Sequence, residues 1–174
     1  DQLLARFRYQ YDAAGNRTRI EDAEGQFASY RYDALGRLTR VDRPDGAFQE
    51  FAYDRAGNRV GMLERGRETV YTYDAMDRLL SAGDTAYEWD PDGNLTAQIG
   101  PLGARRFRWG AENRLLGVSD PDGSEQTFTY QPNGRRLSRI DASGGKSHLF
   151  WDGLNELLET DAAGRTRARY SNAG

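Results

Sequence analysis

The chain has 174 residues, with 27 Asp and Glu against 24 Lys and Arg, so its formal net charge is −3. An acidic isoelectric point near 5.3, without any basic run, argues against nucleic acid as the principal partner. The absence of Cys excludes disulfides, thiolate metal sites and thiol nucleophiles, and no apolar run approaches the length needed to span a bilayer.

In chain order, the first recognisable element is Tyr11-Asp12-Ala13-Ala14-Gly15: an aromatic, an acid and, four residues after the aromatic, a glycine. The pattern returns at Tyr32-Asp33 with Gly36, Tyr53-Asp54 with Gly57, Tyr73-Asp74 with Asp77, and Trp89-Asp90 with Gly93. It continues at Trp109 with Asn113, Tyr130 with Gly134, Trp151-Asp152 with Asn155, and Tyr170 with Gly174. The intervals run from 16 to 21 residues, and a fixed period of that size marks a repeat architecture in which each unit must stack on its neighbours.

Each motif reads as a turn. Asp supplies a carboxylate for a turn amide, and Gly supplies positive φ, which together predict a type I turn with a bulge between antiparallel strands. Asp77, Asn113 and Asn155 replace the Gly with residue types that tolerate the left-handed region. A second turn follows roughly ten residues on, as in Asp22-Ala-Glu-Gly25, Arg43-Pro-Asp-Gly46, Asp120-Pro-Asp-Gly123 and Asp161-Ala-Ala-Gly164. The remaining length gives strands of about six residues, so each repeat is one hairpin's worth of an up-and-down meander.

Two residues before the repeat aromatics stand Tyr9, Tyr30, Phe51, Tyr71, Tyr87, Phe107, Phe128, Leu149 and Ala168. A spacing of two puts both columns on one sheet face. Leu38, Leu79, Leu95, Leu115 and Leu157 form one further column, and Ile20, Val41, Met62 and Val118 another. Leu, Ile, Val and Phe are only 30 of the residues, so Tyr and Trp supply much of the apolar area. The columns read as a cross-strand packing ladder, with an exposed stacking platform for sugars or bases as the alternative. The strand arginines read as cross-strand pairing and stacking groups.

With these motifs, as in Tyr32-Asp33-Ala-Leu-Gly36-Arg37-Leu38 and Tyr53-Asp54-Arg-Ala-Gly57-Asn58-Arg59, the chain resembles the RHS/YD-repeat family along essentially its whole length. That resemblance implies an all-β fold of antiparallel β-hairpin repeats forming a curved, spiralling sheet, a segment of the shell that in bacterial Rhs and insecticidal toxin-complex proteins surrounds a C-terminal toxin polypeptide. Animal teneurins carry a related shell. A β-propeller with four-stranded blades is the alternative fold. Residues 1–174 are expected to be a single array, about eight repeats plus the start of a ninth, cut from a longer protein. The family's C-terminal self-cleaving aspartyl site has no counterpart in these residues.

The functional expectation is therefore a non-enzymatic wall segment, secreted or at the bacterial surface. Its partners would be neighbouring repeats and an encapsulated toxin polypeptide, with edge-to-edge self-association of the piece. A module binding a cell-surface glycan or protein is the alternative. No cofactor or metal is expected: the Asp-Pro-Asp-Gly turns at Asp90 and Asp120 lack the further ligands of a calcium loop. The single His148 follows Ser147, and adjacent strand residues point to opposite faces, so the two do not form a catalytic pair.

Overall fold

The computed structural model describes residues 6–152 and 155–170. Seventeen strands occur among them and no helix: β1 (Arg8–Tyr11), β2 (Arg17–Glu21), β3 (Phe27–Tyr32), β4 (Leu38–Asp42), β5 (Phe48–Tyr53), β6 (Arg59–Glu64), β7 (Arg67–Tyr73), β8 (Leu79–Ala82), β9 (Thr85–Trp89), β10 (Leu95–Gly100), β11 (Gly103–Trp109), β12 (Leu115–Ser119), β13 (Glu125–Tyr130), β14 (Arg136–Ile140), β15 (Lys146–Asp152), β16 (Asn155–Asp161) and β17 (Thr166–Arg169). The backbone forms two compact units, Asp1–Gly83 and Asp84–Gly174.

In the first unit β1 to β8 pair in chain order, every pair antiparallel. In the second unit β9 to β17 do the same. Uninterrupted runs of eight and nine strands are too long for four-stranded propeller blades, so the meander reading holds and the propeller does not.

Among the described residues twelve hairpins carry the expected turn. In the first, Gly15 N donates to Asp12 C=O at 3.1 Å and Asp12 N donates to Asn16 C=O at 2.9 Å. The residue that closes it has positive φ, 99° at Gly57 and, without glycine, 59° at Asp77 and 54° at Asn113. Asn155 departs from this expectation: it begins β16, opposite Asp152, so that hairpin is tighter than the motif spacing implies. Arg65, with φ of 50°, is a left-handed residue outside the repeat motif. It and Gly66, with φ of 76°, form a two-residue type I′ loop between the paired Glu64 and Arg67, the turn that takes positive φ at both positions. Gly174, expected to close the ninth turn, lies outside the described residues.

Every described hairpin that follows a repeat aromatic contains a second irregularity. Gln10 pairs with Arg19 but Tyr11 pairs with Arg17, so Thr18 is left out of the ladder. Thr39, Val60, Leu80, Thr96, Leu116 and Leu137 are skipped in the same way. The skip explains how two columns three residues apart share a face. Ile20 stands opposite Tyr9 and Arg17 opposite Tyr11, an odd spacing that a regular strand would send to opposite sides. Leu157 does not join the Leu column: it is the skipped residue of its own hairpin and 44% exposed.

Burial is shallow. Among the described residues the buried hydrophobic ones are Tyr71, Ala97 and Leu149, and most of the aromatic ladder is half-buried, since within each unit no second layer of described residues packs on either face. Each ring therefore contributes less than the roughly 1.5–3 kcal/mol of full burial, and ladder geometry carries more of the stability. Gly57→Val, which places a β-branched residue at φ of 99°, should cost about 1–2 kcal/mol. Urea unfolding that left the midpoint unchanged would contradict the bulged-turn assignment.

Candidate functional site: a repeated hydrogen-bond lock

The skipped residue creates a problem that the repeat aromatic solves. Between β4 and β5 the ladder runs from Asp42 opposite Phe48 to Arg40 opposite Glu50 and then stops, because the chain diverges at Thr39. The carbonyl of Leu38, just past the fork, has lost its ladder partner. Tyr53 reaches across and donates its hydroxyl to that carbonyl at 2.8 Å.

The same bond recurs at five other forks. Tyr32 donates to Arg17 C=O at 2.8 Å, Tyr73 to Arg59 C=O at 2.9 Å and Tyr130 to Leu115 C=O at 2.8 Å. Trp109 Nε1 donates to Leu95 C=O at 2.7 Å and Trp151 Nε1 to Arg136 C=O at 2.8 Å. In each case the acceptor is the sixth residue after the preceding repeat aromatic. Indole and phenol serve equally because both are donors on a flat apolar body. The sequence carries a signal for this: the repeat slot holds only Tyr or Trp, whereas Phe51, Phe107 and Phe128 occur two residues earlier.

The acidic residue after the aromatic fixes the turn. Asp12 accepts Ala14 N at 3.0 Å and Asn16 N at 2.8 Å on Oδ1, and the Asn16 side-chain amide at 3.0 Å on Oδ2. Asp33 binds Leu35 N, Arg37 N and Arg37 Nε in the same way, and Asp74 binds Met76 N, Arg78 N and Arg78 Nε. Asp54 and Asp90 accept the main-chain and side-chain amides of Asn58 and Asn94. Successive turns are then tied together. Arg37 Nη1 donates to Asp54 C=O at 2.8 Å, Asn58 Nδ2 to Asp77 at 2.7 Å, Asn94 Nδ2 to Asn113 at 3.0 Å and Arg114 Nη1 to Gln131 C=O at 3.3 Å. Gly134, with φ of 87°, sits against the Arg114 guanidinium, and Gly36 and Gly93 close their turns without a side chain.

The arginines complete the aromatic face. Arg17 lies over Tyr30 at 5.2 Å and Arg59 over Tyr71 at 4.5 Å, while Arg37 covers Tyr53 at 4.9 Å and Arg136 covers Phe128 at 4.9 Å. On these four rings one face is thus already occupied by a guanidinium group. Tyr11, on β1, and Tyr170, past β17, remain largely exposed, and Trp89 sits half-buried opposite Leu95.

The structure brings together no acid–base or nucleophilic constellation among the described residues. His148 pairs with Ser138 and Thr160. Ser147 is fully buried on the other face and accepts a hydrogen bond from Arg167 at 3.1 Å. No group of three His, Asp or Glu among the described residues could hold a metal ion.

The lock and the turn carboxylates can each be tested. Tyr53→Phe should cost about 0.5–1.5 kcal/mol by stranding the Leu38 carbonyl, and Tyr53→Trp should cost less, because indole makes the same bond in neighbouring repeats; equal losses in chemical denaturation would show that ring packing alone matters. The turn carboxylates respond to acid. The Asn16 side chain and main-chain amide hold the Asp12 carboxyl below its ordinary 3.8, the Arg37 amide chiefly does so for Asp33, and the Arg78 amide for Asp74. Carboxyls with depressed folded-state values contribute stability above pH 3.8 and lose it as pH falls through those values. The melting temperature should therefore change little between pH 7 and about 5 and drop below about 4, with a shallower drop in the Asp12→Asn, Asp33→Asn, Asp74→Asn triple variant.

The same repeats are found in known proteins. "Probable deoxyribonuclease RhsB" of Dickeya dadantii is 34% identical over 155 residues, covering 83% of this chain and 10% of its own length. "Double-stranded DNA deaminase toxin A" of Burkholderia cenocepacia is 31% identical over 67% of this chain and 9% of itself. "tRNA nuclease WapA" of Bacillus subtilis is 31% identical over 58% of this chain and 4% of itself. The chain thus spans a tenth or less of the length of these relatives. The structure of the Photorhabdus luminescens Tc holotoxin pore superposes with a TM-score of 0.50 at 18% identity, covering 92% of this chain and 12% of that one, a likeness of fold. A family model described as the teneurin YD-shell matches residues 10–157. From the lock at each fork to the tied turns of successive repeats, the chain belongs to the teneurin YD-shell family.

Proposed function

We infer that this chain is a stretch of shell wall whose parent protein encloses a C-terminal toxin polypeptide and carries it out of a bacterial cell. One observation carries the reading: relatives named for three different chemistries, a deoxyribonuclease, a tRNA nuclease and a DNA deaminase, share this same repeat stretch. What such proteins hold in common is not any one of those reactions. The geometry fits a wall, because lock, turn and stacked arginine recur from repeat to repeat and stabilise a sheet without a second layer. Its partners on this reading are the adjoining repeats and the enclosed polypeptide. The carbohydrate-binding alternative gains little from rings that Arg17, Arg37, Arg59 and Arg136 already cover.

The test is protease protection in the whole parent protein. The polypeptide beyond the repeats should resist limited proteolysis, and it should become sensitive in a Gly36→Val, Gly57→Val variant whose wall is weakened at adjacent turns. Equal cleavage of that polypeptide in both proteins would overturn the reading.

A further inference from the structure

The third position of a type I turn favours Asp, Asn, Ser or Gly, for which local hydrogen bonding or backbone freedom provides a reason. Several turns here conform. Asp45 accepts Ala47 N at 3.0 Å and Asp122 accepts Ser124 N at 2.9 Å. In the first unit, however, the four turns that follow the repeat aromatics carry Ala14, Leu35, Ala56 and Met76 at this position. All four are exposed, Leu35 at 76% and Met76 at 66%. No hydrogen bond within the turn and no packing beneath it accounts for a Leu or Met there. The other rim of the same unit has Glu24 and Asp45 at the matching position, and the second unit's aromatic-side turns have Asp92, Glu112 and Asn133. The far rim of the second unit carries Leu102 and Ala163 but has Asp122 and Ser143 between them, so among the described residues an unbroken apolar row occurs on this rim alone.

The order along that row is small, large, small, large. Successive turns on a rim are two strands apart, roughly 9–10 Å, so the row is evenly spaced. Rotated by a two-fold axis between the second and third turns, it meets itself with every large side chain against a small one: Leu35 faces Ala56, and Met76 faces Ala14. Such self-complementarity is what an isologous interface requires. Of the residues that immediately precede these four tips only Arg55 is charged, and it would then approach the other copy's Asp33 turn and not another Arg55.

We propose that the rim formed by Ala14, Leu35, Ala56 and Met76 is a docking surface for a second copy of this chain, joined antiparallel by a two-fold axis. The contact is narrow, at the small end of interface sizes, so association is reversible and concentration-dependent.

The chain has no Cys, which makes disulfide trapping unambiguous. In an L35C/A56C variant the two cysteines of one copy are too far apart to bridge, since a disulfide needs Cα atoms within about 7 Å. Oxidation should therefore give a covalent dimer, whereas L35C alone and an A23C/D45C pair on the opposite rim should remain monomeric. Sedimentation equilibrium of the unmodified chain should show a dimer whose dissociation constant rises at least about tenfold in L35D/M76D. Both changes install an acid like those already present at Asp45 and Asp122, so the fold should survive, with an unchanged circular dichroism spectrum and melting temperature. A chain that stays monomeric throughout overturns the proposal. So does association that persists in L35D/M76D, which would place the contact at the sheet edges.

Discussion

A side-chain donor aimed at an orphaned main-chain carbonyl is the interaction on which the rest of this sheet depends. Each bulged hairpin drops one residue from its ladder, and the strand leaving the bulge parts from its next neighbour before their pairing is complete. An unpaired carbonyl in a half-buried sheet is costly. The repeat aromatic supplies the missing donor while laying its ring against the same fork, so one residue meets a polar and an apolar demand together. That double demand is why Tyr and Trp exchange freely in the slot and Phe does not enter it.

A sheet with so little buried hydrocarbon must draw order from directional contacts. Here these are graded from the turn inward: the Asp carboxylate organises the turn amides, the Asn or Arg five residues past the aromatic ties one turn to the next, and the guanidinium groups lie over the rings. Arg40 shows the same economy on the opposite face, pairing with Asp42 at 2.7 Å and Glu50 at 2.5 Å while stacking 4.2 Å above Phe48. Exposed ion pairs of this kind are individually weak. Their value lies in repetition and in fixing register across consecutive strands.

Much of this is legible in the sequence. Period, turn chemistry and the alternation of aromatics establish an antiparallel meander, because a Gly at fixed offset from an acid suits a bulged turn and little else. The lock is less visible, since it depends on the bulge, and a skipped residue such as Thr39 or Val60 leaves no compositional mark. Leu157 and Asn155 depart from their expected places for a related reason: one shortened loop after Trp151 shifts both by a position, and spacing alone cannot distinguish a four-residue turn from a tighter one. Arg65 is hidden in the sequence because the glycine beside it is enough to suggest a turn, while the need for positive φ at both loop positions emerges only from the pairing of Glu64 with Arg67.

The reach of the lock has a consequence for growth. Each of the six locking aromatics bonds to a carbonyl only 14 or 15 residues upstream, and no described contact of this type skips a repeat. Stability then accumulates as a sum over adjacent units, and a gene could gain or lose a whole repeat without retuning any distant pair. Such a chain behaves as a ruler graduated in hairpins, on which length can drift by whole marks while every mark keeps its own internal geometry.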